Sequence, residues 1–249
     1  MQNGQYFILK LLTEINKRCK IIENFEFWGG ALMISLGKTY ILGDSYSTYE
    51  GYIPDGYLYY YGDNEENDVN NVNLTWWYQL IDETKSELIK NNSYSGSTVC
   101  NIGYNGNYCP ESSFSGRLDK DINEGFFKEN SLDTVLFMGG TNDTWAKSPV
   151  GELKYSDWDE EDLKSTLPAF CYVVDKLKKN ADGARIIFII NIELSKEIAD
   201  GYTEACKKYG IEYLPLKPFS KNGGHPNKQG MKEIKNQIIE YLKNKNAVS

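Results

Sequence analysis

Histidine occurs once in this chain of 249 residues, as His225. One imidazole among scattered acids supplies no ligand cluster, so no resident metal is expected. The five cysteines, Cys19, Cys100, Cys109, Cys171 and Cys206, are an odd number without paired metal spacing. They are read as reduced thiols, which suits a cytoplasmic protein. No stretch approaches the roughly 20 apolar residues of a membrane span, and the Phe7-Ile8-Leu9 run is too short and too soon charged for a secretory signal. The 27 basic residues are interspersed among 35 acidic ones, with a net charge of −8, so no phosphate-tracking surface and no nucleic-acid partner is expected. No Gly-x-Gly-x-x-Gly or Walker pattern follows a strand-like run, which leaves no cofactor to expect from nucleotides or flavins.

What is present is a core-forming composition, 41% hydrophobic, in a length that fits one large layered domain. Strand-like runs near Thr39 to Gly43, Glu87 to Asn92, Thr134 to Met138, Arg185 to Ile190 and Glu212 to Leu216 alternate with helical patterns. The helices fall near Leu74 to Lys85, Ser115 to Asn123, Glu160 to Lys179, Ser195 to Tyr209 and Asn227 to Lys243. That alternation predicts an α/β fold with a parallel sheet and right-handed crossovers. Ser156 and Asp157 ahead of an acidic first turn suggest a helix start, and Pro168 inside the pattern predicts a kink.

Residues 1 to 32 stand outside this rhythm. Trp28-Gly29-Gly30 requires a guanine-rich codon run just before Met33, as in a ribosome-binding site, so residues 33 to 249 are expected to form the domain. The other reading of residues 1 to 32 is a genuine extension with a helix over Leu11 to Asn24.

The chemistry is expected where the first strand stops. Lys38 to Leu42 is a buried strand pattern broken at Gly43-Asp44, which leaves Ser45 at the carboxyl end, where open α/β sheets carry their sites. A serine hydroxyl becomes nucleophilic when a base takes its proton, and His225 is the one imidazole that can serve. Two further segments fall at strand ends on the same rim: Asn91 to Thr98, containing Gly96, and Gly139-Gly140-Thr141-Asn142-Asp143. The N–H groups of Ser45 and Gly96 and the Asn142 amide would be donors for an oxyanion. Tyr46 to Asn73 is a long loop holding seven tyrosines between Tyr46 and Tyr61, expected as a wall or lid beside Ser45 or as a flap packed on the sheet edge. Asp44 and Asp143 read as turn braces. Trp145, Trp158 and Tyr94 are either pocket walls or core.

Gly43-Asp44-Ser45, the Asn91 to Thr98 block, Gly139 to Asp143 and His225-Pro226 resemble the four blocks of the SGNH hydrolases, also called GDSL esterases and lipases. The resemblance covers Lys38 to the C-terminus. It implies a flavodoxin-like three-layer α/β/α sandwich, Ser45 as nucleophile, His225 as general base, and Ser45, Gly96 and Asn142 as the oxyanion hole. One position departs from the pattern: the acid expected three residues before the histidine is Asn222. Three arrangements fit that departure, namely a Ser-His dyad with the imidazole held by Asn222 or a backbone carbonyl, an acid reaching in from Asp44 or Asp143, or a site without turnover. The expected activity is hydrolysis of short acyl esters of a sugar or another polar alcohol. A carbohydrate-binding protein without turnover and an O-acyltransferase are the alternatives.

Overall fold

The computed structural model describes residues 27–28, 31–32, 34–63 and 67–246. The helix expected over Leu11 to Asn24 and the boundary at Met33 lie outside them. Five strands form the central sheet: β1 (Lys38–Gly43), β2 (Glu87–Ser93), β3 (Thr134–Met138), β4 (Arg185–Ile190) and β5 (Glu212–Pro215). All neighbours run parallel, in the order β2-β1-β3-β4-β5. Helices α1 (Trp76–Glu83), α2 (Phe114–Asn123), α3 (Thr141–Ala146), α4 (Thr166–Asn180), α5 (Lys196–Tyr209) and α6 (Lys228–Asn246) make the crossovers and the outer layers.

The strands read as near-continuous apolar runs because both faces of a parallel sheet are covered. Successive side chains point to opposite faces. Tyr40, Leu42, Val135, Phe137, Phe188 and Ile190 pack with Phe114, Phe170 and Tyr202 of α2, α4 and α5. Ile41, Leu136, Met138, Ile187 and Ile189 pack on the other face with Trp76 and Trp77 of α1 and Met231 and Ile238 of α6. The result is the three-layer α/β/α sandwich that the family resemblance implies, built on the parallel sheet expected from the alternation. Register between β1 and β3 pairs Tyr40 with Val135 and Leu42 with Phe137, so the strand ends at Gly43 and Met138 are level. The chain leaves β1 for the edge at β2 and returns on the other side at β3, making the β1/β3 boundary the topological switch point. Ser45 follows β1 there.

One helix differs from expectation. The acidic run does not start the α-helix: the Asp159 N–H donates to Asp162 Oδ2 at 2.8 Å and the Asp162 N–H returns to Asp159 Oδ1 at 3.0 Å, closing a turn that leads only into a 3-10 turn over Asp162–Lys164. The helix begins at Thr166, so Pro168 sits in its first turn. A missing N–H costs nothing there, and no kink results. Among the described residues no helix is long and apolar enough to cross a membrane.

Candidate active site

Gly43 ends β1 because nothing larger fits: a Cβ there would lie 2.6 Å from Ser47 Cβ and from Ser93 Oγ. The chain then turns through a single 3-10 turn, Ser45–Ser47, whose preceding residue Asp44 accepts from the Tyr46 N–H at 3.1 Å. Asn91, at the end of β2, donates from Nδ2 to Ser47 O at 2.8 Å and so fixes the far side of the turn. Ser45 is thus held at a sheet end by groups from β1 and β2. Burial pushes the Asp44 carboxyl up to about 7 against the pull of the Tyr46 N–H and the Thr141 hydroxyl. Asp143 accepts from the Val99 N–H at 2.8 Å and the Cys100 N–H at 3.2 Å. Both carboxylates brace turns.

His225 Nε2 lies 2.8 Å from Ser45 Oγ. Residues separated by 180 positions meet because α6 follows β5 and the segment before it turns back across the rim. That segment is a two-residue antiparallel ladder in which Asn222 pairs with His225 and Lys221 with Pro226. With Nε2 facing a hydroxyl, the hydroxyl donates when the neutral imidazole carries its hydrogen on Nδ1. The ring is half-buried. Burial, with Lys221 as a second cause, lowers its pKa to about 4.

Nothing bonds Nδ1 among the described residues. The Asn222 side chain is exposed and faces Asn227 Nδ2 at 3.5 Å, so the expectation that its amide or a backbone carbonyl orients the imidazole is not met. Nor do Asp44 and Asp143 reach it, being committed to their turns. The ring is held by aromatics instead. Tyr60 stacks on it with centroids 3.6 Å apart and planes 9° from parallel, and Trp145 meets it edge-on at 5.8 Å. Tyr46 Oη donates to Gly224 O at 2.6 Å and Tyr61 Oη to Pro226 O at 2.8 Å. The tyrosine loop is therefore a wall of the site, packed on the histidine. Trp158 packs on Tyr172 and donates to Lys154 O, and is no part of it.

Gly96, in the turn after β2, is exposed with φ +81°, and no acceptor takes its N–H among the described residues. Asn142, in the first turn of α3, donates from Nδ2 to Ser97 O at 3.0 Å and accepts from Tyr104 Oη at 2.8 Å. That leaves one Nδ2 hydrogen. Gly140 before it has φ +99° with Tyr202 only 2.7 Å from where a Cβ would be, which makes glycine obligatory. The Ser45 N–H opens its turn and has no partner within it. These three donors and the Ser45–His225 pair lie at the carboxyl ends of β1, β2 and β3.

Arg117 is the residue that sequence reasoning misses. It is fully buried on α2 and donates to Gly43 O at 3.0 Å, Ser97 Oγ at 3.2 Å, Ser112 O at 3.0 Å and both oxygens of Asn92. One guanidinium thereby joins the ends of β1 and β2 to the Gly96 turn. Burial lowers its pKa to about 10, leaving it charged at neutral pH. A signal exists: Phe114, Arg117, Leu118 and Asp121 recur at helical spacing, so two charges occupy the core-facing stripe. Tyr104 carries no local signal, and Tyr60 none beyond its place in the tyrosine loop, in a chain with 19 tyrosines. Cys100, Cys171 and Cys206 are free thiols pushed up to about 12 by burial, and none competes with Ser45 as a nucleophile. A surface cavity of about 510 Å³ beside Gly151, Lys154 and Pro168 includes neither Ser45 nor His225.

The profile of the family described as GDSL-like Lipase/Acylhydrolase matches residues 37–242. A solved GDSL-like lipase structure from Bacteroides uniformis is 43% identical, with a TM-score of 0.77, over 83% of this chain and 95% of that one. A second, from Bacteroides ovatus, is 36% identical with a TM-score of 0.77, over 84% and 99%. A family two carbohydrate esterase from Clostridium thermocellum, solved with cellohexaose, shares 16% identity and the fold, with a TM-score of 0.57 over 89% and 69%. Among curated proteins none matches the sequence.

Proposed function

The chain belongs to the GDSL-like lipase/acylhydrolase family, and on that premise we propose that it is a serine ester hydrolase acting through an acyl-Ser45 intermediate. The observation that carries this reading is the 2.8 Å contact between Ser45 Oγ and His225 Nε2. Ser45 Oγ attacks the ester carbonyl as Nε2 takes its proton. The carbonyl oxygen becomes anionic and is met by the N–H groups of Ser45 and Gly96 and by Asn142 Nδ2, a kind of donor worth about 10²–10³ each in rate. Collapse of the intermediate releases the alcohol, which takes the proton back from His225. Water, deprotonated by the same nitrogen, then frees the acid and restores Ser45.

For the substrate we propose a short acyl group on a sugar or similar polar alcohol. Support comes from the aromatic faces near the donors: Tyr104 is exposed yet bonded to Asn142, and Tyr57 packs on Tyr94 at 5.1 Å beside the Gly96 turn. Such faces suit pyranose stacking. The carbohydrate esterase of the same fold contributes a precedent for the fold, not for this chain's substrate.

The test is labelling of Ser45 by a fluorophosphonate together with a burst on p-nitrophenyl acetate, followed by acetylated sugars and esters of longer chains. Labelling and turnover that vanish in Ser45→Ala support the reading. Absence of both favours a carbohydrate-binding protein without turnover, the reading that the amide at position 222 motivates.

A further inference from the structure

We propose that Tyr60 takes over the work of the absent carboxylate, its ring face stabilising the imidazolium that His225 becomes, while Tyr46 and Tyr61 fix the backbone on either side of that histidine. This rests on the reading of Ser45 and His225 as a nucleophile and base pair.

The geometry is unusual for two neutral rings. Aromatic pairs prefer offset or edge-on arrangements, because a direct face-to-face sandwich sets one negative face against another. Here the centroids are 3.6 Å apart and the planes within 9°, so the rings lie almost squarely over each other. A cation over a phenol face reverses the sign and is attractive within about 6 Å of the centroid. The stack is therefore best satisfied at the moment when Ser45 has given up its proton.

Position is supplied by the same loop. Gly224 O and Pro226 O, the carbonyls flanking His225, each accept from a tyrosine of that loop. Tyr60 is itself fixed, its N–H donating to Thr48 Oγ1 at 2.9 Å, and the Tyr61 carbonyl accepts from the Glu50 N–H at 2.9 Å. Among the described residues, the other groups facing the imidazole include no carboxylate to do this work. Lys221 is cationic and paired with Glu193. Trp145 is neutral, Tyr46 and Tyr61 are held un-ionised by burial, and Asp44 is turned to the Tyr46 N–H.

Three variants separate this role from mere packing: Tyr60→Phe keeps the face, Tyr60→Leu keeps apolar cover without it, and Asn222→Asp restores an acid in the Tyr60→Leu background. Because His225 is the one histidine, its titration is read directly by NMR with labelled histidine, with no need for turnover. We expect Tyr60→Phe to stay within about threefold of wild type, and Tyr60→Leu to lose about tenfold or more in kcat with KM little changed. The His225 pKa in Tyr60→Leu should fall by about half a unit or more. Adding Asn222→Asp should recover more activity in that variant than it adds to wild type.

A packing role predicts the opposite titration, since a loosened, wetter imidazole moves up toward 6.5. An upward or absent shift in Tyr60→Leu, or wild-type kcat there, overturns the proposal. Failure of the fluorophosphonate to label wild-type Ser45 would overturn the hydrolase reading instead, and the titration would still report on the stack.

Discussion

Arg117 Nη2 donates to the Gly43 carbonyl at 3.0 Å, so a buried cation on α2 fixes the strand end from which Ser45 departs. The same guanidinium holds Ser97 Oγ at 3.2 Å, tying the turn of Ser45 to the turn of Gly96. Its acceptors are all uncharged. Substitution therefore strands several buried oxygens at once. Arg117→Met should cost about 3 kcal/mol or more, and Arg117→Lys should rescue little, because an ammonium cannot reproduce the planar fork. Urea denaturation of both variants checks this.

On the proposed mechanism, the low pKa of His225 sets the acid limit of activity. Its neutral form, the one that accepts the Ser45 proton, persists down to about pH 4. The acid limb of kcat/KM should accordingly fall near pH 4 rather than near the 6.5 of a free imidazole. A pH profile on a neutral ester measures it.

Stability should follow pH through Asp44 in the opposite sense to His225. A histidine depressed from 6.5 to about 4 contributes stability that is full above 6.5 and is lost as pH falls through about 4. A carboxyl raised from 3.8 to about 7 contributes stability that is full below 3.8 and is lost as pH rises through about 7. The two slopes oppose each other between. Asp44→Asn, which keeps a capping oxygen, should lose stability more steeply than wild type as pH is lowered from 6.5 to 4. Denaturation midpoints at several pH values give the comparison.

Asn142→Ala should lower kcat about 10²–10³-fold with a small change in KM, as for loss of a donor that acts on the developing anion. Tyr104→Phe, which removes only the bond to Asn142 Oδ1, should cost far less. Equal losses in the two variants would make the side chain a brace of the Ser97 turn and not a donor. Steady-state kinetics on one ester distinguishes the cases.

Asn222→Asp in the wild-type chain should raise kcat several-fold and raise the His225 pKa. Residues 222 and 225 are directly paired across their ladder, which sets their Cβ atoms about 5 Å apart on one face. A carboxylate at 222 that turned inward, leaving the outward course of the Asn222 amide, would reach Nδ1. Kinetics with the histidine titration tests it, and an unchanged pKa would count against that reach.

The five strands are legible in the sequence because a parallel sheet covered on both faces demands unbroken apolar runs, and Arg185 to Ile190 or Thr134 to Met138 admits no other reading. Ser45 and His225 are legible for a different reason: one strand stops at a glycine too crowded to be anything else, and the chain holds a single imidazole. The helix start at Thr166 is hidden because Asp159 and Asp162 look like a helix's first turn while capping one another. The failure at Asn222 has the same root. Spacing along the chain says which residue type stands three positions before the histidine, but not that its amide faces outward while a ring 165 positions away, Tyr60, lies on the imidazole.

The segment that holds His225 begins one residue after Ser45, at Tyr46, and runs on to Tyr60 and Tyr61. Exchange of that loop, the usual way for a scaffold of this kind to acquire a new substrate, would here dismantle the proton acceptor along with the wall. A change in what this chain accepts is then better sought around Tyr104, whose hydroxyl bonds Asn142 and not the imidazole.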